Sequence, residues 1–190
     1  MMLLCEEDGK AAVCLARKSI EKYIADREIT CPKLPSVFAE ERGVFVTLTK
    51  YGELRGCIGY PYPILPLFEA IRDAAVSAAT KDPRFPPVQQ DELESITLEV
   101  TILTKPEPLL CPAEERSQKI EIGRHGLIIQ GRGHAGLLLP QVATDYKWTS
   151  EEFLSHTCLK AGLFKDCWKD NSYELLTFEG QIFSENKRIA

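Results

Sequence analysis

The sequence predicts an α+β fold, a mainly antiparallel sheet with packed helices. Three observations lead there. Helical and strand periodicities mix along the chain without the regular βαβ alternation of a doubly wound sheet. Two pairs of short apolar runs flank tight glycine-containing turns, the signature of hairpins. Finally, 190 residues, 44% of them hydrophobic and 27% charged, fit one domain or one domain of two lobes.

The first element runs from about Asp8 to Arg27, where Val13, Ala16, Ile20, Tyr23 and Ile24 recur at helical spacing. Cys31-Pro32 and Leu34-Pro35 then hold the connection extended, because a residue before proline is pushed out of the α region. Gly43 to Leu48 is rich in β-branched and aromatic residues; Lys50-Tyr51-Gly52-Glu53 turns it into a second strand, Leu54 to Gly59. After Tyr60-Pro61-Tyr62-Pro63, Pro66 suits the first turn of a helix whose Leu67, Ala70, Ile71, Ala74, Ala75 and Ala78 form a small-residue stripe. Asp82-Pro83-Arg84-Phe85-Pro86-Pro87 must be a fixed, extended loop. Ile96 to Leu103 alternates, with Ile96, Leu98, Val100 and Ile102 on one face and Thr97, Glu99 and Thr101 on the other. A second hairpin pairs Gly126–Gln130 with Gly136–Leu139 across Gly131-Arg132-Gly133-His134, and Pro140 ends it. Thr149 and Glu152 fit a capping box that opens a helix running to Gly162, and a last strand spans about Tyr173 to Phe183.

Charge and composition narrow the function. A net charge of −5 and a pI near 5.4 give no basic field for nonspecific nucleic-acid binding and no attraction to anionic membranes. Proline, glycine or charge interrupts every apolar stretch, so no membrane span is expected. The apolar start Met1–Cys5 is too short for a signal h-region and lacks a basic flank. Seven widely spaced cysteines, an odd number, therefore read as reduced thiols in a cytoplasmic protein.

Two motifs fail on physical grounds. Gly131-Arg132-Gly133-His134-Ala135-Gly136 matches the dinucleotide fingerprint letter for letter. That fingerprint needs a helix N-terminus after its glycines, and Leu137-Leu138-Leu139-Pro140 is a short strand instead. No two cysteines stand at C-x-x-C spacing, and His125, His134 and His156 form no H-E-x-x-H, so no metal and no cofactor is expected. Cys57 differs from the other cysteines. It lies in Leu54-Arg55-Gly56-Cys57-Ile58-Gly59, and strict alternation puts Arg55, Cys57 and Gly59 on one face with Leu54, Gly56 and Ile58 on the other. A cation two residues away favours the thiolate, and bare glycines leave room for a ligand or for another backbone. A functional thiol and an inert, close-packed one both fit these residues.

The hexapeptide LRGCIG at 54–59 resembles the signature of the AMMECR family. Asp82–Pro87, Gly123–Leu127 and Leu139–Ala143 followed by Trp148 resemble three further segments of that family, in order. The resemblance implies a single AMMECR-like domain over residues 1–190 in two unequal lobes, with Tyr60–Pro66 and Lys105–Pro112 as the expected lobe crossings. It also implies company, since the family is often encoded beside, or fused to, Memo-like and radical-SAM proteins. It implies no established activity. The expected site has Cys57 as nucleophile or covalent attachment point for an unknown small-molecule or protein substrate. Arg55 orients an anion or lowers the thiol pKa, Glu99 or His125 serves as base, and Gly56, Gly59, Asp82 and Arg84 line the substrate. The rival is a non-catalytic module that binds a protein partner such as a Memo-like or radical-SAM protein. A nucleic-acid role, resting only on scattered Arg55, Arg84, Arg124 and Arg132, is the weakest reading.

Overall fold

A computed structural model of the chain describes residues 4–185. These divide into two units, one built from residues up to Leu103 and from Gln181 onward, the other from Thr104–Gly180.

In the first unit, β1 (Val44–Lys50) is central, with β2 (Glu53–Tyr60) and β3 (Ile96–Leu103) antiparallel on either side. The final residues of β7 (Glu174–Ser184) lie beyond β3, where Glu185 donates its N–H to the Leu98 carbonyl at 2.9 Å. The β1–β2 turn rests on Tyr51 at φ 54 and Gly52 at φ 88, two successive left-handed residues that suit a two-residue hairpin. One face of this sheet is apolar. Val44, Val46, Leu48, Leu98 and Val100 are all buried against α1 (Glu6–Ala25) and α2 (Leu67–Thr80). Each helix presents its small residues here, Ala12 and Ala16 from α1 and Ala70, Ala74, Ala75 and Ala78 from α2. Small side chains let the backbones approach, and the approach is tightest at Gly56, where an added Cβ would lie 2.2 Å from the Ala78 carbonyl oxygen.

The helix ends differ slightly from the periodicity. The acidic residues Glu6, Glu7 and Asp8 form the first turn of α1, and Asp8 accepts the Cys5 N–H at 3.0 Å. Asp26, left-handed at φ 51, stops that helix. Pro66 stands at the N-cap of α2 rather than inside it.

In the second unit, β7 pairs with β4 (Glu107–Pro108) and with β5 (His125–Gly131), and β6 (His134–Leu138) lies beyond β5. The fingerprint glycines form the β5–β6 turn, with Arg132 at φ 52 and Gly133 at φ 80. No helix follows them directly. Pro140, read from sequence as a stop, is the first residue of α4 (Pro140–Asp145), a place where its missing N–H costs nothing. α3 (Arg116–Lys119) is likewise short, and α5 (Ser150–Lys160) opens on the expected capping box at Thr149 and Glu152. Phe153, Leu154 and Cys158 of α5 pack with Leu127, Ile129 and Trp168 into this unit's core.

The Tyr60–Pro66 link lies wholly inside the first unit. The chain leaves that unit at Leu103, just ahead of Lys105–Pro112, and returns between Gly180 and Gln181, in mid-strand, where no linker composition marks the crossing.

The cysteines depart from the expectation of reduced thiols throughout. Cys14 bonds to Cys31 and Cys158 to Cys167; Cys5, Cys57 and Cys111 are free. The first bridge ties α1 to the proline-bearing connection that follows it, and the second lies fully buried in the second unit's core. Among the described residues no helix is long and apolar enough to cross a membrane. No group of three or more His, Cys, Asp or Glu side chains there could hold a metal ion.

Candidate functional site

β2 is the edge of its sheet, so half of its backbone polar groups face away from β1 and need partners. At Cys57 the loop 82–87 supplies them with side chains. Asp82 accepts the Cys57 N–H through Oδ2 at 2.8 Å. Arg84 grips the same carboxylate twice, Nε to Oδ1 at 2.9 Å and Nη2 to Oδ2 at 2.6 Å. Arg84 Nη2 also lies 3.4 Å from the Cys57 carbonyl oxygen. The prolines keep this loop extended enough to run beside the strand.

Burial and charge make this anchor firm. The Asp82 side chain is 2% exposed, whereas that of Arg84 is 53% exposed. The Arg84 guanidinium holds the Asp82 carboxyl well below the usual carboxylate range, against the opposing pull of burial, and the N–H groups of Cys57 and Arg84 add to the effect. This buried, ion-paired carboxylate anchors the Cys57 backbone from which the thiol projects.

Cys57 itself is half-buried and unbridged. Its neighbours follow from the register. Cys57 pairs with Thr47, and Thr47 pairs on its other side with Glu99, so the three occupy one row across three strands. The Thr47 hydroxyl donates to the Cys57 sulfur at 3.4 Å. Glu99 accepts a hydrogen bond from Ser184 at 3.2 Å. Neighbouring strands stand about 4.8 Å apart, which puts the Cys57 and Glu99 backbones roughly 10 Å apart.

Arg55 is not where alternation puts it. Leu48 pairs with Gly56 and Thr49 with Leu54, so Arg55 is the extra residue of a β-bulge. The bulge moves Leu54 to the same face as Cys57 and re-aims Arg55 toward Glu92. There Arg55 donates through Nε at 3.2 Å and Nη2 at 2.9 Å to the two carboxylate oxygens, and through Nη1 to the Pro86 carbonyl at 2.9 Å. Lys50 joins the same carboxylate at 2.9 Å. The Arg55 hydrogen bonds, helped by Lys50, pull the Glu92 pKa down to about 2. Arg55 is thus committed to Glu92 as Arg84 is to Asp82, but the Arg55 side chain is largely buried whereas that of Arg84 is exposed and lies beside the Cys57 backbone.

The glycines serve packing. Where Gly56 lacks a Cβ the Ala78 carbonyl fills the space, and at Gly59 the Val44 carbonyl oxygen, 2.2 Å from an added Cβ, and the Phe45 ring do the same. His125 belongs to the second unit, where its Nδ1 accepts the Glu121 N–H at 3.1 Å across the turn that opens β5. Thr47 and Glu92, which shape the site, carry no signal in the sequence. Thr47 emerges only once the bulge is counted, and Glu92 only from the fold.

Comparison with known proteins agrees on the family. The AMMECR1 family model matches residues 13–183. The chain is 54% identical to protein Mbar_A1807 of Methanosarcina barkeri, over 97% of this chain and 94% of that protein. It is 53% identical to protein MJ0810 of Methanocaldococcus jannaschii, with the same coverage of both. The crystal structure of the uncharacterized protein PH0010 from Pyrococcus horikoshii superposes with a TM-score of 0.82 at 47% identity, covering 96% of this chain and 94% of that one.

Proposed function

The chain belongs to the AMMECR1 family, and from that premise we propose that it is a thiol-dependent enzyme in which the Cys57 sulfur gives up its proton to a base and adds to the carbonyl carbon of a substrate bearing an anionic group, the S–C bond forming as the C=O π bond opens to an alkoxide. One observation carries the reading: a free, half-exposed thiol whose own backbone is anchored by the buried Asp82–Arg84 pair. A thiol that served packing alone would need no buried charge to fix its strand. In this scheme the Thr47 hydroxyl stabilises the thiolate, and Arg84, whose Nη1 makes no hydrogen bond to any described residue, receives the anionic group. Arg55 and Glu92 hold the bulge rather than touch substrate. Glu99, in the same row as the thiol, is the carboxylate positioned to act through water as base.

The test is site-resolved labelling with a limiting thiol reagent across pH, with Cys5 and Cys111 as internal controls. Selective labelling of Cys57, faster than at Cys5 and Cys111, is expected, slowed in Arg84→Ala and little changed in Arg55→Lys. Labelling no faster than at exposed Cys5, or only on unfolding, would return the hexapeptide to packing.

A further inference from the structure

We infer that Cys111 is a modification site, a thiol that hydroperoxides carry to the sulfinate, whose oxygens the buried Arg116 receives. Both residues belong to the second unit. The register of β4 on β7, Glu107 opposite Thr177 and Pro108 opposite Leu176, continues past the end of β4. Leu109 donates its N–H to the Leu175 carbonyl at 2.8 Å, and Ala113 donates its own to Asn171 Oδ1 at 3.2 Å. Cys111 lies midway between these two anchors, in the stretch that faces Tyr173. It is unbridged and half-buried, between exposed Leu110 and exposed Pro112, so a small oxidant can reach it.

Arg116 is the second half of the site. It is 5% exposed, and no carboxylate of any described residue pairs with it. Nη1 donates to the Trp168 carbonyl at 2.7 Å and lies 3.4 Å from that of Asp170, and Nη2 donates to the Tyr173 carbonyl at 2.9 Å. Nε has no hydrogen-bond partner among the described residues. In the planar guanidinium the Nε–H and one Nη2–H point to the same side. With Nη2 on the Tyr173 carbonyl, the unmet Nε–H faces the stretch where Cys111 sits. Burial pushes the Arg116 pKa down, and negative charge at Cys111, ahead of Asp170 and Glu114, opposes that push. Neither acid is a counter-ion: Asp170 accepts the Ser172 N–H at 2.8 Å and faces Arg132 at 3.6 Å, and Glu114 is exposed. A buried cation without an anion and a donor without an acceptor are both costly. A neutral thiol meets neither need. A sulfinate meets both, with a full negative charge and two acceptor oxygens standing out from sulfur.

The chemistry takes two equivalents of hydroperoxide. In the first, the Cys111 sulfur attacks the terminal oxygen; the S–O bond forms, the O–O bond breaks, and the leaving alkoxide or hydroxide takes the thiol proton. In the second, the sulfenic sulfur attacks another hydroperoxide in the same way, and the leaving group takes the sulfenic proton. The sulfinic acid then releases its own proton to water. Sulfur loses two electrons in each step and the peroxide gains them. The site stands independently of the chemistry at Cys57.

The experiment treats the full chain with hydrogen peroxide and reads each cysteine by mass spectrometry. The expected result is two added oxygens at Cys111, accumulating about tenfold faster than at Cys5, although Cys5 is the more exposed. Arg116 ties three backbone carbonyls, so its removal would cost the fold; the second arm changes Cys111 instead. Cys111→Asp puts a carboxylate where the sulfinate would stand. At neutral pH it should unfold at a higher urea concentration than Cys111→Asn, and the difference should shrink as acid protonates the carboxylate. Oxidation of Cys111 no faster than of Cys5, or halted at one oxygen, overturns the proposal. So does a Cys111→Asp chain no more stable than Cys111→Asn.

Discussion

At the scale of single residues, the ion pairs on the β2 edge define how the site responds to acid. Glu92 has its pKa pulled from 4.5 to about 2 by Arg55 and Lys50. A carboxylate depressed in the folded state stabilises fully above its unfolded pKa, and that stabilisation is lost as pH falls through the folded value. Glu92→Gln should therefore be less stable than wild type at neutral pH by about 2 kcal/mol, a figure discounted for partial exposure. The gap should close between about pH 4.5 and pH 2 in urea denaturation. A gap that stays constant with pH would mean that the Glu92 charge contributes nothing. The same pairs explain what the sequence hid. Arg55 reads as the cation that activates Cys57, yet its charge is met by a glutamate 37 positions along the chain. No local pattern announces such a partner. Asp82 and Arg84 were readable as a pair, but not as the clamp on the Cys57 N–H, because that contact depends on β2 lying at the sheet edge.

At the scale of elements, legibility followed periodicity and failed where one residue broke it. The two hairpins were readable from Tyr51-Gly52 and from Gly131–His134, since left-handed turn residues leave a compositional mark. The bulge at Arg55 leaves none, and it shifts Leu54 onto the opposite face from the one alternation assigns. Pro140 misled because proline ends a strand and opens a helix for the same reason, its absent N–H. The α2 stripe of small residues was legible as a close-packing surface, and the structure names what it meets. Gly56→Ala would set a Cβ 2.2 Å from the Ala78 carbonyl, backbone against backbone, with no flexible atom to move aside. The expected cost is about 3 kcal/mol or more, seen as a lowered urea midpoint. A variant as stable as wild type would show that α2 can slide away from β2.

At the scale of the whole molecule, two crosslinks were invisible because cysteine spacing says nothing about which connection folds back on which helix. Cys14 and Cys31 are half-buried, whereas Cys158 and Cys167 are fully enclosed by the second core. Mild reductant followed by alkylation and mass spectrometry should therefore open the first bridge well before the second. In the chain-entropy account, opening it should cost about 3 kcal/mol of stability. Simultaneous opening would mean that the second core admits reductant as freely as the surface does. The route of β7 has a consequence for synthesis. Residues Thr104–Gly180 interrupt the first unit, and that unit is finished only by residues 181–185, where Gln181 bonds to Leu4 and Glu185 pairs with Arg17. A ribosome extends a chain at about 5–20 residues per second. The N-terminal half thus emerges early and then waits, several seconds on that clock, for its last strand. The later-made unit can close before the earlier-made one, which inverts the usual order of birth and leaves the open β3 edge and the Leu4–Arg17 side of α1 as the waiting surface of the nascent chain.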